Sequence, residues 1–221
     1  MKNNTEYIPS FSGLLKFGVA SFIVRRIFNS KPKLNKGKNY LNLGCGNNIV
    51  QGFINADLFY KIKYWNNPAQ KPDWLLDLRY KLNCNNEVFD GIFCEHTFEH
   101  LYPFQVKHLL KELYRVMKIN ACIRITVPDI DKYIKFYNGN YDNIEADEFK
   151  KRFNTGCSAI RNITQKYFHL SIWNYKELSL FLEQAGFREI KEMSFRQGRD
   201  NKLLLDIETR KWETLYVEAV R

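Results

Sequence analysis

Short apolar runs recur along the first part of the chain, and each of the first four ends at a chemically distinctive residue. The first run ends at a glycine turn, the next two at aspartates and the fourth at a glutamate; the runs are 40–43, 53–56, 74–76 and 89–94. Residues 104–117 then place apolar side chains at helical spacing, and a fifth run, 122–127, stops at a proline. Strands that alternate with helices predict a mainly parallel sheet with helices on both faces.

The last third of the chain shows a different order of elements. Residues 175–184 have helical periodicity and are followed by Gly186, a residue type common at helix C-termini. Residues 188–193 and 215–220 have strand character and are separated by a polar stretch. These two strands predict an antiparallel pair at the edge of the sheet, which gives an α/β fold with seven strands in all.

The chain has 221 residues, a length that suits one domain. Residues 1–38 hold an amphipathic stretch, 11–28, and a basic linker, and we expect the main domain over 39–221. Within it, the aromatic and charged residues 129–172 lie where a cover on the acceptor side would lie. Two interpretations of 11–28 stay open: a helix packed on the domain edge, or a helix lying on an acidic membrane surface.

The formal net charge is +10, which favours anionic partners such as acidic headgroups, phosphorylated small molecules or nucleic acid. Nucleic acid is the less favoured partner because the basic residues are spread along the chain. Five cysteines without a C-x-x-C pair argue against a disulfide framework or a zinc ribbon. With no signal-peptide pattern and no membrane-spanning run, we expect a cytoplasmic protein whose only membrane contact is peripheral.

The residues at the strand ends predict a nucleoside-binding crevice. Ligands of open α/β sheets bind outside the carboxyl ends of the strands, where the strand order reverses. Gly44 and Gly46 allow a ligand to approach the backbone closely. Asp57 can accept hydrogen bonds from both ribose hydroxyls, and Asp77 can accept one from an adenine amine. Since only seven residues separate Gly46 from Ile54, any helix between the first two strands must be very short.

Four segments resemble motifs of class I S-adenosylmethionine-dependent methyltransferases. Residues 40–46 (YLNLGCG) resemble the first motif, and 89–96 (FDGIFCEH) resemble the fourth strand. Residues 113–121 (LYRVMKINA) are similar to the turn into strand five, and 182–187 (LEQAGF) to the helix end before strand six. The resemblance covers 39–221 and implies a Rossmann-like fold, methyltransferase activity and S-adenosyl-L-methionine as cofactor. It implies these cofactor-binding residues: Asn42, Gly44, Cys45, Gly46, Asp57, Leu58, Asp77, Leu78 and Glu95.

The pattern is most similar to a bacterial subgroup whose members occur with surface-polysaccharide genes. The similarity rests on 41–46, on 52–57 (GFINAD) and on the tail 213–219 (ETLYVEA). It implies O-methylation of a sugar, or of a substituent of a cell-surface glycan or its precursor. Three positions depart from the family pattern: Asn42 replaces an acidic residue, Asn48 replaces the third glycine, and Ile-Asn-Ala at 119–121 replaces a Pro-Gly-Gly turn.

Methyl transfer to a hydroxyl needs a group that removes the acceptor proton, and we expect it near the ends of strands four and five. His96, Glu99 and His100 lie there at spacing i, i+3, i+4, which places them on one face of a helix. Three interpretations stay open. His96 acts as a base or positions the acceptor, or all three are structural, or they bind a divalent metal with a distant histidine such as His169.

Two further residues complete the catalytic candidates, which are His96, His169 and Asp129, without a metal in the leading interpretation. His169 stands among aromatic residues between the cover and the last helix. Asp129 follows strand five and is equally suited to cap a helix over 130–137.

The leading hypothesis is therefore a methyltransferase acting on a glycan-related acceptor. Four basic residues in the polar C-terminal stretch suit a phosphorylated or nucleotide-linked acceptor; they are Arg196, Arg199, Arg210 and Lys211. One alternative is an RNA or tRNA methyltransferase, motivated by the net charge. The other is a catalytically inactive partner subunit with the same fold, motivated by Asn42 and Asn48.

Overall fold

The structure is a computed structural model that describes residues 11–58, 71–139 and 144–221. Its strands are β1 (Tyr40–Leu43), β2 (Ile54–Asp57), β3 (Trp74–Leu75), β4 (Phe89–Glu95), β5 (Met117–Pro128), β6 (Arg188–Met193) and β7 (Thr214–Val220). They form one sheet in the order β3-β2-β1-β4-β5-β7-β6. Only β7 runs against its neighbours β5 and β6. The predicted seven-stranded, mostly parallel sheet with an antiparallel pair at one edge is confirmed.

The helices are α1 (Phe11–Phe22), α2 (Pro103–Val116), α3 (Ile130–Tyr137), α4 (Ile144–Arg152), α5 (Gly156–Gln165) and α6 (Tyr175–Ala185). α2 and α6 cover one face of the sheet and enclose the main apolar core. α2 buries the residues whose spacing predicted it: Val106, Leu109, Leu110, Leu113 and Val116. Each such side chain contributes about 1.5–3 kcal/mol on burial.

The opposite face of the sheet has a different cover. The segment 194–213, predicted as a polar stretch, lies on this face and holds two short 3₁₀ helices, Asn201–Leu203 and Glu208–Arg210. Leu203 and Leu205 pack there against a small apolar cluster. Arg124 of β5 and Glu95 of β4 have hydrogen-bond partners in this segment. Buried polar side chains need such partners, which explains a cover of irregular chain.

The N-terminal stretch is helical over nearly the predicted range 11–28, but its last part is not an α-helix. α1 ends at Phe22 and continues as a π-helical turn, Ile23–Ile27. Ser21 is buried, and its hydroxyl donates a hydrogen bond to Asp77, so this segment packs on the domain edge. It also leaves apolar side chains exposed: Leu15, Val19, Phe22, Ile27 and Phe28. Within the described parts of the chain, no helix is long and apolar enough to cross a bilayer.

The turn into β5 explains one departure from the family pattern. β5 begins at Met117, five residues earlier than the predicted run 122–127, and its pairing with β4 shifts register before Cys122. Asn120 lies in this irregular stretch with φ +65°. Asparagine is among the few residues other than glycine that adopt the left-handed conformation readily, so it replaces the glycine of the family turn.

α3, α4 and α5 form a second apolar cluster, separate from the main core. α3 begins directly at the carboxyl end of β5, and Asp129 bridges to Trp173 on the far side of this unit. The unit therefore stands at the carboxyl edge of the sheet, where residues 129–172 were expected to provide a cover; residues 140–143 of that range lie outside the described residues.

Candidate functional site

The candidate residues at the strand ends are neighbours along one edge of the sheet. β1 pairs in parallel with both β2 and β4, and the register sets Leu43 beside Ala56 and Cys94. Asp57 in turn pairs with Leu75 of β3. The ends of β3, β2, β1 and β4 therefore lie in a row, and the strand order reverses between β1 and β4. This is the position at which open α/β sheets bind ligands.

The glycine turn after β1 is tight and open on one side. Gly44 has φ +66° and Gly46 has φ +52°, a region that other residues enter at a cost. A Cβ on Gly44 would lie 2.2 Å from the Thr97 hydroxyl oxygen, so no side chain fits there. A Cβ on Gly46 would meet nothing within 4 Å among the described residues, so a ligand can approach this backbone. The very short helix expected after this turn is replaced by turns alone over 44–53.

Asp57 closes the glycine turn from the end of β2. Its Oδ2 accepts a 2.8 Å hydrogen bond from the Gly46 N–H, and its Oδ1 accepts one of 2.6 Å from the Leu58 N–H. Burial raises the pKa of the Asp57 carboxyl, although these two donors oppose the shift. Since a carboxylate has about four acceptor positions, two are left unused by the described residues and suit a ligand. Leu58 itself is buried beside the turn.

Asp77 is committed to contacts within the protein. It is 3% exposed, and its carboxylate accepts hydrogen bonds from the Arg79 guanidinium and from the Ser21 hydroxyl. Burial opposes ionisation of Asp77, but Arg79 and Ser21 outweigh it and hold the pKa of the carboxyl below its usual range. The neighbouring Leu78 packs against the main core. In this arrangement Asp77 anchors α1 to the sheet edge.

Asn42 and Cys45 also have partners inside the protein. The Asn42 amide donates one hydrogen bond to the Asn48 carbonyl and one to Asn55 Oδ1, at 2.7 and 2.9 Å. Both amide hydrogens are then used, so only the acceptor oxygen remains for a ligand. Cys45 is buried, and burial raises the pKa of its thiol well above the usual range. The Asn42–Asn55 pair fixes the segment between β1 and β2.

Glu95 is the last residue of β4, which lies on the other side of the point where the strand order reverses, and His96 follows it directly. Glu95 Oε1 accepts a 2.9 Å hydrogen bond from the Ile207 N–H, and burial raises the pKa of its carboxyl. His96 has φ +47°, Nε2 lies 2.9 Å from the Thr214 hydroxyl, and Nδ1 lies 3.3 Å from Glu99. Both ring nitrogens thus face protein groups, which favours a positioning role for His96 over proton removal.

The helix expected to carry His96, Glu99 and His100 is only a 3₁₀ turn, Phe98–His100. His96 precedes this turn, so the three do not share a helix face; the left-handed backbone at His96 is the reason. His169 joins the group instead, because its ring centroid lies 5.1 Å from that of His100. Burial lowers the pKa of His169, which keeps the imidazole neutral near pH 7.

Asp129 caps α3, as one of its two interpretations required. Its Oδ1 accepts a 3.0 Å hydrogen bond from the Asp131 N–H at the first turn of the helix. Burial raises the pKa of the Asp129 carboxyl from 3.8 to about 6, since the N–H donor and Lys132 compensate only in part and Asp131 and Glu192 add repulsion. A catalytic role for Asp129 stays a prediction.

We expect Asp129→Asn to stabilise the protein above pH 6. Asparagine also caps helices, so the substitution keeps the cap and removes a charge that burial disfavours. A raised carboxyl pKa makes the wild type lose stability as the pH rises from about 4 to about 6, by about 2–3 kcal/mol. Urea unfolding should show the variant's advantage at pH 7.5 and little of it at pH 4. Equal differences at both pH values would contradict the shift.

Ile207 and Thr214, which were not among the predicted site residues, line the same end of the sheet together with Arg210. Ile207 donates its N–H to Glu95, Thr214 contacts His96, and the Arg210 carbonyl accepts from the Thr214 hydroxyl. Arg210 was predicted only as part of a basic cluster suited to a phosphorylated acceptor, without a place beside Glu95. For Thr214 the signal in the sequence was the similarity of residues 213–219 to the subgroup's tail.

Comparisons with protein-family models and with curated proteins found no match to this chain. Solved structures do match. A SAM-dependent methyltransferase from Archaeoglobus fulgidus aligns over 96% of this chain and 100% of its own, with 17% identity and a TM-score of 0.50. A SAM-dependent methyltransferase from Thermotoga maritima aligns over 95% and 89%, with 15% identity and a TM-score of 0.52.

A third match is phosphoethanolamine N-methyltransferase 2 from Haemonchus contortus in complex with S-adenosyl-L-methionine. It aligns over 99% of this chain, with 14% identity and a TM-score of 0.50, and this chain spans 58% of its length. These alignments run over nearly the whole chain, and the strand order is as described above. The chain therefore has the Rossmann-like fold of class I S-adenosylmethionine-dependent methyltransferases.

Proposed function

We propose that this chain is an S-adenosylmethionine-dependent methyltransferase. The observation that carries the proposal is the row of strand ends, in which the open Gly46 backbone and the half-satisfied Asp57 carboxylate lie beside the topological switch point. This set suits the cofactor, because a ribose offers two hydroxyl donors and the glycine turn leaves room for it. The similar structures from three organisms add support, since two of them are described as SAM-dependent and one binds the cofactor.

Each group of this chain then has a limited task. Asp57 would accept from the ribose hydroxyls, and Gly44 and Gly46 would let the backbone approach the ligand; the Asn42 oxygen is available to the methionine end. Asp77 is bound by Arg79 and Ser21, so its carboxylate shapes the adenine end through α1 rather than by direct contact. The cofactor supplies a methyl group on a sulfonium, and the chain must orient the acceptor and accept or pass on its proton.

We further propose that the acceptor is a sugar, or a substituent of a cell-surface glycan or its precursor. The subgroup resemblance in residues 41–57 and 213–219 motivates this acceptor class. A phosphorylated or nucleotide-linked form is favoured by the basic side chains on the segment that covers the Glu95 side of the site. Of these, Arg210 adds positive charge beside Glu95, while the Arg199 guanidinium is paired with Glu189. The exposed apolar side of α1 suits peripheral contact with a membrane on which such precursors are assembled.

The proposal is tested by calorimetry with S-adenosylmethionine and by transfer of a labelled methyl group to nucleotide sugars. We expect cofactor binding in the micromolar range, about −8 kcal/mol, and label in at least one sugar acceptor. Absence of cofactor binding by the folded protein would overturn the methyltransferase proposal. Label in RNA, with an affinity that falls steeply with salt, would replace the glycan acceptor by nucleic acid. Binding without transfer to any acceptor would favour the inactive partner subunit.

A further inference from the structure

Glu99 is a buried carboxylate whose potential donors, among the described residues, are imidazole nitrogens at long distances. It is 1% exposed, and neither of its side-chain oxygens accepts a hydrogen bond from the residues that the structure describes. The nearest polar groups are imidazole nitrogens, His96 Nδ1 at 3.3 Å and His100 Nε2 at 3.8 Å from Oε1. Buried polar groups are almost always satisfied, and an isolated buried carboxylate is costly. Such an orphan indicates that a further partner belongs at this carboxylate.

The Glu99 carboxylate and two imidazoles bring three potential metal-ligand atoms close together. One atom each from Glu99, His100 and His169 lies within 4.8 Å of the other two. Two donors on a tetrahedral zinc-sized ion lie about 3.4 Å apart, given metal–ligand bonds of about 2.1 Å. The ligand atoms therefore have to close by up to about 1.4 Å, which rotations of the side chains supply. The set of two imidazoles and one carboxylate suits zinc and similar divalent ions.

His169 Nδ1, the ring nitrogen that would not bind the ion, has the hydrogen-bond partner that is typical of metal-binding histidines. Nδ1 lies 2.7 Å from the Ile163 carbonyl oxygen, which can only accept, so Nδ1 carries the proton. Nε2 of the neutral ring then keeps its lone pair for a ligand. A backbone carbonyl on the other nitrogen is the arrangement that orients histidines in metal sites.

The backbone joins the two distant parts of this cluster. The N–H groups of Leu170 and Ser171 both donate to the Glu99 carbonyl, at 2.6 and 3.2 Å, and the Ser171 hydroxyl donates to the Phe98 carbonyl. Just before His169, Tyr167 and Phe168 both have positive φ, +59° and +62°. Backbone in this region is costly for such residues and is kept where the surrounding structure fixes a function.

His96 also contacts Glu99 and has a fixed partner on its other ring nitrogen. The Thr214 hydroxyl hydrogen is donated to the Arg210 carbonyl, so Thr214 can only accept from His96 Nε2. His96 Nδ1 lies 3.3 Å from Glu99 Oε1, so this ring is held between the Thr214 hydroxyl and the buried carboxylate.

We propose that Glu99, His100 and His169 form a binding site for one divalent transition-metal ion of the zinc type. The His100 side chain is 41% exposed, so the ion can enter from solvent and keeps coordination positions open. The site adjoins the end of β4 and the cover formed by α3–α5, which is the acceptor side of the crevice. Through those open positions the ion can bind an acceptor oxygen and lower its pKa; this role, unlike the site itself, rests on the proposed function.

The test uses the full-length, untagged protein, freed of metal with chelator and then titrated with Co²⁺. We expect one ion per chain, a visible absorption band from nitrogen and oxygen ligands, and loss of the band when Zn²⁺ displaces Co²⁺. His100→Ala and His169→Ala should each weaken Co²⁺ binding roughly tenfold or more, since even loss of an indirect partner costs that much. Glu99→Gln, close in shape, should do the same.

The fourth histidine provides the matched control. His108 is exposed on α2 and forms no such cluster with other described residues, so His108→Ala should leave Co²⁺ affinity unchanged. Thermal unfolding of each variant separates loss of metal from loss of fold, and exposed His100 is the position least able to affect folding. No bound ion in the folded wild type, or equal binding by His100→Ala and His169→Ala, would overturn the site. Neither outcome depends on S-adenosylmethionine binding, so the methyltransferase proposal stands or falls separately.

Discussion

Asp57→Ala should weaken S-adenosylmethionine binding roughly 150-fold or more while leaving the protein folded. Each hydrogen bond to a charged group contributes about 1.5–3 kcal/mol, and the two free acceptor positions of Asp57 correspond to two ribose hydroxyls. The substitution also releases the Gly46 N–H, which now donates to Asp57 Oδ2, so the glycine turn loses its tie to β2. Both effects act on the same ligand. Calorimetry with S-adenosylmethionine measures the change directly.

A carboxylate at the opposite end of the sheet gives the control. Asp90 lies near the start of β4, where it accepts from the Asn39 N–H and pairs with Lys118. Asp90→Ala removes a partly exposed ion pair of small energy and should leave cofactor affinity unchanged. Asp57→Asn should fall between wild type and alanine, because one acceptor oxygen remains. Equal affinity of Asp57→Ala and the wild type would remove Asp57 from the cofactor site.

The position of Asp57 could be predicted because it depends on a local pattern. A short apolar run predicts a strand, parallel strands share a carboxyl edge, and the residue after the run must therefore lie on that edge. The same reasoning located Gly44, Gly46 and Glu95. Periodicity also predicted the order of strands and helices, because apolar residues recur at helical spacing in α2 but form a continuous run in β5. The antiparallel edge pair was predicted from two strand-like runs, β6 and β7, that follow the last helix.

The metal-type cluster could not be predicted in its observed form. Spacing suggested that His96, Glu99 and His100 share a helix face, but His96 adopts φ +47° and only a single 3₁₀ turn follows. His169 reaches Glu99 through backbone hydrogen bonds from 170 and 171, which no side-chain periodicity reports. Likewise, Asp77 was predicted to face a ligand, yet its partners Ser21 and Arg79 come from α1 and from the next turn.

The role of Arg124, in the middle of β5, could not be predicted from the sequence. Arg124 is fully buried, and all five of its N–H groups have acceptors. Its guanidinium forms a bidentate salt bridge with the Asp206 carboxylate, with N–O distances of 2.6 and 2.8 Å, and donates a 2.9 Å hydrogen bond to Glu218 Oε1. Its other two donors reach the carbonyls of Ser194 and Gln197. This one side chain therefore fastens the irregular cover 194–213 to β5 and β7.

Arg124→Met should destabilise the protein by about 3–5 kcal/mol, because it leaves two carboxylates buried without their cation. For a chain of this size that lowers the melting temperature by about 6–20 °C. The substitution also removes the contacts of Arg124 with Ser194, Gln197 and Asp206, which hold the segment 194–213 in place. Because Ile207 of this segment donates to Glu95, we expect the affinity for the cofactor to fall as well. Thermal and urea unfolding measure the first effect, and calorimetry below the transition measures the second.

Two companion variants distinguish an unpaired charge from simple loss of an ion pair. Arg199→Ala breaks an exposed pair with Glu189 at 2.6 Å and should cost under about 1 kcal/mol. The triple variant Arg124→Met, Asp206→Leu and Glu218→Met replaces the whole network by apolar groups and should recover much of the lost stability, since no charge then remains buried alone. If the triple variant were no more stable than Arg124→Met, the cost would lie in packing and lost backbone contacts, and the cover would be held by the carbonyl bonds of Arg124 rather than by its charge.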